Sequence, residues 1–150
     1  IFNPVTEKNN RLLFYAAAVK CLGLDVTPND IVPDEYACAE TVNEIHKIAF
    51  GFPIGGESST YKLYGALKSS PLFKRVDEPL EGDIILSPSG YKSGKSLITS
   101  GHAGIVGEYH KVMANDSFTG KFIDDRYTVK SWKQKWEVEG KYLTVFFRRL

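Results

Sequence analysis

The amino-acid sequence changes its pattern near Pro79, and this change limits the fold more than any other feature. Before Pro79, apolar residues recur at the three- and four-residue steps of a helix, in the segments 8–22, 37–50 and 59–67. After it, short segments are rich in β-branched or aromatic residues and bounded by turn formers; these are 83–86, 103–106, 111–114 and 143–148. The order predicts an α+β fold, with the early helices packed on a mostly antiparallel sheet.

Two segments of the second half depart from the strand pattern. Residues 128–137 carry Trp132 and Trp136 one helical turn apart, which predicts a last short helix. The segment 87–100 is rich in Ser, Gly and Lys, so we expect a long mobile loop there.

Length and composition are those of a single domain spanning residues 1–150. Of the 150 residues, 43% are hydrophobic, and the net charge of +1 gives no sign of a nucleic-acid-binding surface. The longest apolar run, 12–19, is far shorter than the roughly 20 residues of a membrane span. Because the chain begins with Ile1 and has no signal-peptide pattern, we expect it to be a processed or excised piece.

The two cysteines, Cys21 and Cys38, are the candidate nucleophiles. Their number permits one disulfide, but a chain of this length needs none, and their spacing matches no zinc site. Cys38 begins a predicted helix, where the dipole and unpaired N–H groups stabilise a thiolate. Cys21 falls in a last helical turn, so we expect a buried core thiol. A core role is the alternative for Cys38 too, since Val42 and Ile45 share its apolar stripe.

The three histidines differ in how well they suit the role of general base. His46 lies two turns along the helix from Cys38, about 12 Å away at 1.5 Å per residue, which is out of reach. His110 follows a predicted hairpin turn and is expected to be exposed. His102 begins a strand between two small residues, which leave space for a substrate beside its ring. We therefore predict that His102 is the base.

The residue opposite His102 on the neighbouring strand is a candidate for orienting its ring. A two-residue hairpin loop would place Asn115 there, whereas a one-residue change in loop length would place Asp116 there. We take Asn115 first and Asp116 second. The alternative is that the segment 115–117, which is also a glycosylation sequon, only ends the strand in a turn.

An oxyanion formed by attack on an amide requires hydrogen-bond donors. The Cys38 backbone N–H, at a helix start, is the first candidate. The Tyr36 hydroxyl is the second, with packing as its alternative role.

Three motifs follow one another along the chain. Residues 34–43 read Asp-Glu-Tyr-Ala-Cys-Ala-Glu-Thr-Val-Asn, residues 81–86 read Glu-Gly-Asp-Ile-Ile-Leu, and residues 100–106 read Ser-Gly-His-Ala-Gly-Ile-Val. In this order they resemble the CHAP domain, the cysteine- and histidine-dependent amidohydrolases/peptidases of phage lysins and bacterial wall hydrolases. The resemblance covers about residues 34–117.

The resemblance implies a papain-like amidase fold and hydrolysis of bacterial peptidoglycan, by an N-acetylmuramoyl-L-alanine amidase or an endopeptidase. Cys38 matches the family nucleophile and His102 its base, and no cofactor or metal is implied. The protein would act at the bacterial cell wall, as a phage-encoded lysin, a virion-associated protein or a secreted enzyme. Other domains of a larger phage or wall-hydrolase protein would be its partners.

The sequence departs from the family pattern at the third catalytic position. Many relatives carry Glu followed two residues later by Asn, where residues 113–116 read Met-Ala-Asn-Asp. No calcium-binding acidic loop of the kind that some relatives have is visible. Trp132 and Trp136 are candidates for a glycan-facing groove, with core packing as the alternative. The alternative function is an inactive CHAP-like module that binds the cell wall or forms part of a phage tail.

Overall fold

A computed structural model describes residues 3–28 and 37–150. Three helices come first along the chain: α1 (Pro4–Cys21), α2 (Cys38–Phe50) and α3 (Thr60–Ser69). A short helix, α4 (Val129–Lys133), precedes the last strand. The six strands are β1 (Phe73–Val76), β2 (Ile84–Ser87), β3 (His102–Val106), β4 (Lys111–Asn115), β5 (Phe122–Thr128) and β6 (Val145–Arg149).

Helix α1 begins earlier than the periodicity predicts, at Pro4 rather than at residue 8. The side chain of Asn3 accepts hydrogen bonds from the backbone N–H groups of Val5 and Thr6, at 3.0 and 3.3 Å. Proline is well suited to the first turn because it lacks an N–H that would otherwise need a partner. The Asn-Pro pair therefore starts the helix before its apolar stripe begins.

Helices α2 and α3 lie where the sequence predicts them. α2 begins at Cys38 and ends at Phe50, and it is followed by Gly51, whose φ of 88° is the left-handed conformation that glycine adopts most readily. α3 is capped by Ser59, whose hydroxyl accepts the Lys62 backbone N–H at 3.0 Å. Within the described residues, no helix has the length and hydropathy to cross a membrane.

The last helix continues into a π-helical turn. A capping box between Thr128 and Ser131 starts α4, and Gln134–Glu139 then follow with π-helical hydrogen bonding. The predicted helix over 128–137 is therefore confirmed, with a change of helix type along it. Trp132 and Trp136 lie on either side of this change, and both are buried.

The sheet is antiparallel, in the spatial order β1-β6-β2-β3-β4-β5. Strands β2, β3, β4 and β6 correspond to the four predicted strands. The sequence pattern does not predict β1 and β5, which are the two edge strands. Both carry charged residues, such as Lys74 and Asp124, because an edge strand exposes part of its surface and charge there discourages pairing with other chains.

Helices α1 to α3 cover one face of the sheet, and α4 lies on the other. Along β2, Ile84 and Leu86 belong to the core beneath the first three helices, whereas Ile85 packs in the cluster around Trp132. Because β2 is buried on both faces, it is apolar without alternation. The predicted α+β architecture, with helices packed on an antiparallel sheet, is confirmed.

The Gly-Asp pair at the start of β2 has a structural role. Asp83 is fully buried and accepts two hydrogen bonds from Arg148 on β6, at 2.9 and 2.7 Å, and one from the Leu80 N–H at 2.7 Å. Gly82 has a φ of 90°, and a Cβ there would overlap the carbonyl oxygen of Arg11. This motif therefore joins β2 to β6 and to α1.

Candidate active site

A cavity of about 320 Å³ opens at the start of β3 and is lined by both Cys38 and His102. Its walls come from the start of α2, the loop before β3, the end of β4, strand β5 and the π-helical turn. The lining residues are Cys38, Leu97, Ile98, Thr99, Ser100, Gly101, His102, Val112, Ala114, Asn115, Asp116, Ser117, Phe118, Ile123, Arg126, Tyr127, Lys135 and Trp136. The structure thus brings the predicted nucleophile, base and both candidate orienting residues to one cavity.

Cys38 is the first residue of α2 and is only 6% exposed. Burial raises the pKa of its thiol to about 11, because a thiolate loses hydration there. The nearby backbone N–H groups of Ala103, Ala39 and Cys38 itself lower the pKa only in part. The thiol is therefore protonated at neutral pH. The influence of the Ala103 N–H shows that the sulfur lies beside the residue that follows His102.

His102 begins β3, and its ring lies against three aromatic side chains. The ring centroid is 4.9 Å from that of Trp132 and 5.1 Å from that of Trp136, both in stacked arrangements, and 6.2 Å from that of Tyr127. Burial and the nearby charge of Lys135 lower the pKa of His102 to about 4, against the raising effect of Asp116. The imidazole is therefore neutral at pH 7.

The contacts of His102 differ from those of a hydrogen-bonded triad. Within residues 3–28 and 37–150, no hydrogen bond joins its ring to Cys38 or to Asp116, whose carboxylate bonds Thr119 and Arg126 instead. Hydrogen bonds between catalytic groups are often absent or long before substrate binds. The ring is held by stacking in this state.

The hairpin between β3 and β4 is one residue longer than the first expectation. Residues Glu108–His110 form a three-residue turn, and the Gly107 N–H donates to the Lys111 carbonyl at 2.7 Å. Counting back along both strands places Asp116, not Asn115, opposite His102. The two-residue loop is therefore wrong and the alternative register is correct.

The hairpin tip itself explains the longer loop. Tyr109 and His110 both have left-handed backbone conformations, with φ of 55° and 58°, and together with Glu108 they make the reversal. His110 is exposed, as predicted.

Asp116 uses its carboxylate to close the turn after β4. One oxygen accepts the Thr119 N–H and hydroxyl at 3.1 and 2.8 Å, and the other accepts from Arg126 at 3.2 Å. The strand-ending turn, which was the alternative for this segment, is therefore present. Asn115 lines the same cavity. An orienting role for either residue stays a prediction.

Several other predicted positions lie away from the cavity or outside the described residues. Tyr36, the second candidate oxyanion donor, lies outside the described residues, as does the start of the first motif at 34–35. Cys21 is a buried core thiol, as predicted, and neither cysteine forms a disulfide.

His46 is a fully buried core residue. Its Nδ1 lies 2.7 Å from the Phe52 carbonyl oxygen, and its Nε2 accepts a hydrogen bond from Arg149 at 3.1 Å. Burial lowers its pKa. It does not line the cavity, whereas His102 does, and the role of His102 as base stays a prediction.

Sequence reasoning missed most of the cavity wall. The segment 97–101, predicted only as part of a loop, forms one side of the cavity, and Leu97 is 99% exposed at its rim. Phe118, which is 87% exposed, lies on the rim as well. Arg126 and Lys135 carry charge into the cavity from β5 and the π-helical turn. No sequence motif marks these residues, because they meet only through the fold.

Comparisons with known proteins found no match for this chain. No model of a known protein family matches the chain, and no curated protein matches it. Within the part of the chain that the structure describes, His, Cys, Asp and Glu side chains form no group of three or more that could hold a metal ion.

Proposed function

We propose that the protein is a CHAP-like cysteine hydrolase that cleaves an amide or peptide bond of bacterial peptidoglycan. The observation that carries the proposal is the shared cavity. Cys38, at the N-terminus of α2, and His102, at the start of β3, line one space of about 320 Å³. A nucleophile at a helix N-terminus and a base on an adjacent strand are the two groups that this chemistry requires.

The reaction is proposed to have two halves. His102 takes the thiol proton as the Cys38 sulfur attacks the carbonyl carbon, and it gives that proton to the leaving amine as the C–N bond breaks. Water then attacks the thioester, its proton passing to His102, and the released sulfur recovers a proton as the acid product leaves. Backbone N–H groups at the start of α2, with that of Cys38 first, would stabilise the oxyanion.

The resting pair is in the protonation state from which the proposed proton transfer starts. At pH 7 the thiol, with a pKa of about 11, is protonated, and the imidazole, with a pKa of about 4, is free to accept a proton. The two side chains need to come into hydrogen-bond contact for the transfer, which substrate binding would favour.

The rim of the cavity supports binding of a large ligand. Leu97 and Phe118 are almost fully exposed apolar side chains on the cavity wall, where they are accessible to a bound ligand. Methyl groups and sugar faces of peptidoglycan would contact them.

A wall-binding module without activity is the second candidate. The observation that favours it is that the thiol is not hydrogen-bonded to His102 in the resting cavity and is strongly disfavoured as a thiolate. Such a module would use the same cavity and rim for recognition alone.

The test is digestion of purified peptidoglycan from several bacterial species. We expect turbidity to fall with the wild type and with Cys21→Ser, the matched control, but not with Cys38→Ser or His102→Gln. Mass spectrometry of the released fragments would identify the broken bond as that of an amidase or an endopeptidase. Equal clearing by Cys38→Ser would remove Cys38 from the mechanism. Sedimentation with the wall but no clearing, for any species, would favour the binding module.

A further inference from the structure

Lys135 is held against the aromatic wall of the cavity. Its ammonium nitrogen lies 2.9 Å from the Tyr127 hydroxyl oxygen, to which it donates, and 4.6 Å from the ring centroid of Trp136. These are the rings that also contact His102. The ammonium group is thus fixed beside the base and not free in solvent.

The charge of Lys135 has no carboxylate partner within residues 3–28 and 37–150. Arg126, the other basic residue that lines the cavity, is paired with Asp116 at 3.2 Å. With His102 neutral, Lys135 leaves the cavity with an uncompensated positive charge. A partly buried cation of this kind attracts an anion strongly because solvent screens it poorly.

We propose that Lys135 binds a carboxylate of the substrate, so that the enzyme favours amide bonds that lie close to a free carboxylate. The preference for cleaving amide bonds near a carboxylate rests on the proposed hydrolase function. The binding of a carboxylate by Lys135 does not depend on that function. The ligand class is a peptide with a free carboxylate.

Binding would also change the base. Lys135 disfavours protonation of His102 through its charge, and a bound carboxylate would cancel that charge. The pKa of His102 would therefore rise when a carboxylate substrate is bound, which makes the imidazole a stronger base at the moment of attack.

The first experiment measures binding in the absence of catalysis. The probes are one muropeptide with free stem carboxylates and the same muropeptide with these carboxylates amidated, titrated by calorimetry into the Cys38→Ser protein. We expect the carboxylate form to bind roughly tenfold more tightly or better, as a charge-assisted hydrogen bond would give. The preference for the carboxylate muropeptide should disappear when Lys135→Met is combined with Cys38→Ser. It should remain when Lys135→Arg is combined with Cys38→Ser. Equal affinities, binding of neither probe, or a preference that survives Lys135→Met would overturn the proposal.

The matched control is Lys133→Met, two residues away. Lys133 lies over the ring of Phe146 at 5.4 Å and does not line the cavity, so its loss should leave the preference unchanged. A loss of preference in this variant equal to that in Lys135→Met would show a general charge effect and overturn the assignment. An NMR titration supplies a second readout: Lys135→Met should raise the pKa of His102, whereas Lys135→Arg, which keeps the charge, should leave it unchanged.

Kinetics separate this proposal from the hydrolase proposal. If the wild type hydrolyses both muropeptides with equal kcat/KM, the hydrolase stands and selectivity by Lys135 fails. If neither is hydrolysed but the carboxylate form binds selectively through Lys135, the carboxylate site stands and the hydrolase fails. Inorganic phosphate that competes for Lys135 as well as the carboxylate muropeptide does would mean a general anion site, and would overturn selectivity for carboxylates.

Discussion

His102 stacks on Trp132 with the ring centroids 4.9 Å apart and the ring planes inclined by only 12°. Trp132 is fully buried, and its indole N–H donates to the Ser87 hydroxyl at 2.9 Å. Ser87 is the residue that pairs with His102 between β2 and β3. The plane of the candidate base is therefore set by an indole that is itself anchored to the neighbouring strand.

We expect Trp132→Leu to raise the pKa of His102 from about 4 toward 6.5, because one face of the imidazole would become hydrated. Trp132→Phe keeps an aromatic face and should give a smaller rise. Both variants should lose stability, by up to about 3 kcal/mol for a large buried side chain. NMR titration of the imidazole measures the pKa, and urea unfolding measures the stability. If the Trp132→Leu variant folds and the pKa of His102 is unchanged, Trp132 does not shield the base.

The stability of the protein should fall in mild acid because of His102. The folded-state pKa of about 4 lies below the ordinary 6.5, so the unfolded chain takes up a proton first as the pH falls. The stabilisation is fully present above pH 6.5, is lost between 6.5 and 4, and amounts to at most about 3 kcal/mol for a shift of this size.

The comparison for this pH effect is His102→Gln. Urea unfolding between pH 7 and 4 should show a smaller loss in the variant than in the wild type. The free energy of unfolding of the variant should still fall somewhat with pH, because the pKa of the buried His46 is also lowered and acts in the same direction. Parallel curves for the two proteins would contradict the assignment to His102.

Alkylation of Cys38 should be slow at neutral pH. Its pKa of about 11 lies above the ordinary 9.0, so iodoacetamide should react increasingly fast as the pH rises from 9 to 11. In the same range the protein should lose stability, because the unfolded thiol ionises first. Cys21→Ser, followed by mass spectrometry, isolates the reaction of Cys38. Rapid alkylation already at pH 6 would instead indicate a thiolate paired with a protonated histidine.

Gly101→Ala should disturb both the fold and the cavity. A Cβ at Gly101 would overlap the Ser87 carbonyl oxygen and lie 2.6 Å from the Ser89 backbone nitrogen, so the backbone before His102 would have to move. We expect a loss of about 1–3 kcal/mol, as for other overpacked sites. The control is Gly65→Ala in α3, where a Cβ meets nothing within 4 Å and should stabilise the helix by about 0.5–1 kcal/mol. Urea unfolding of both variants checks that Gly101→Ala lowers the stability and that Gly65→Ala raises it.

Asp83→Asn should be among the most destabilising polar substitutions. Asp83 is fully buried and its partner Arg148 has a side chain only 14% exposed, so the change leaves a buried charge without its counter-ion. A loss of about 3–5 kcal/mol is expected. Glu7→Gln, which breaks the more exposed pair with Lys74, should cost at most about 1 kcal/mol. Similar losses in urea unfolding of the two variants would contradict the difference in burial.

The local sequence determines much of the scaffold. The start of α2 at Cys38, the cap of α3 at Ser59 and the start of β3 near His102 follow from short-range periodicity and turn chemistry, which act over a few residues. The burial of Cys21 and the exposure of His110 follow from the same local rules. The same local rules do not predict the two edge strands, because charged residues and partial exposure weaken the alternation that marks a strand.

Only the tertiary structure decided the register opposite His102 and the surroundings of its ring. The register depends on a single residue in the hairpin loop, and two left-handed residues, Tyr109 and His110, make that loop longer than a tight turn. Trp132 and Lys135 reach His102 from a segment about thirty positions away in the sequence. Such contacts depend on how layers pack, and burial, which sets the pKa values of both candidate catalytic residues, exists only once those layers have come together.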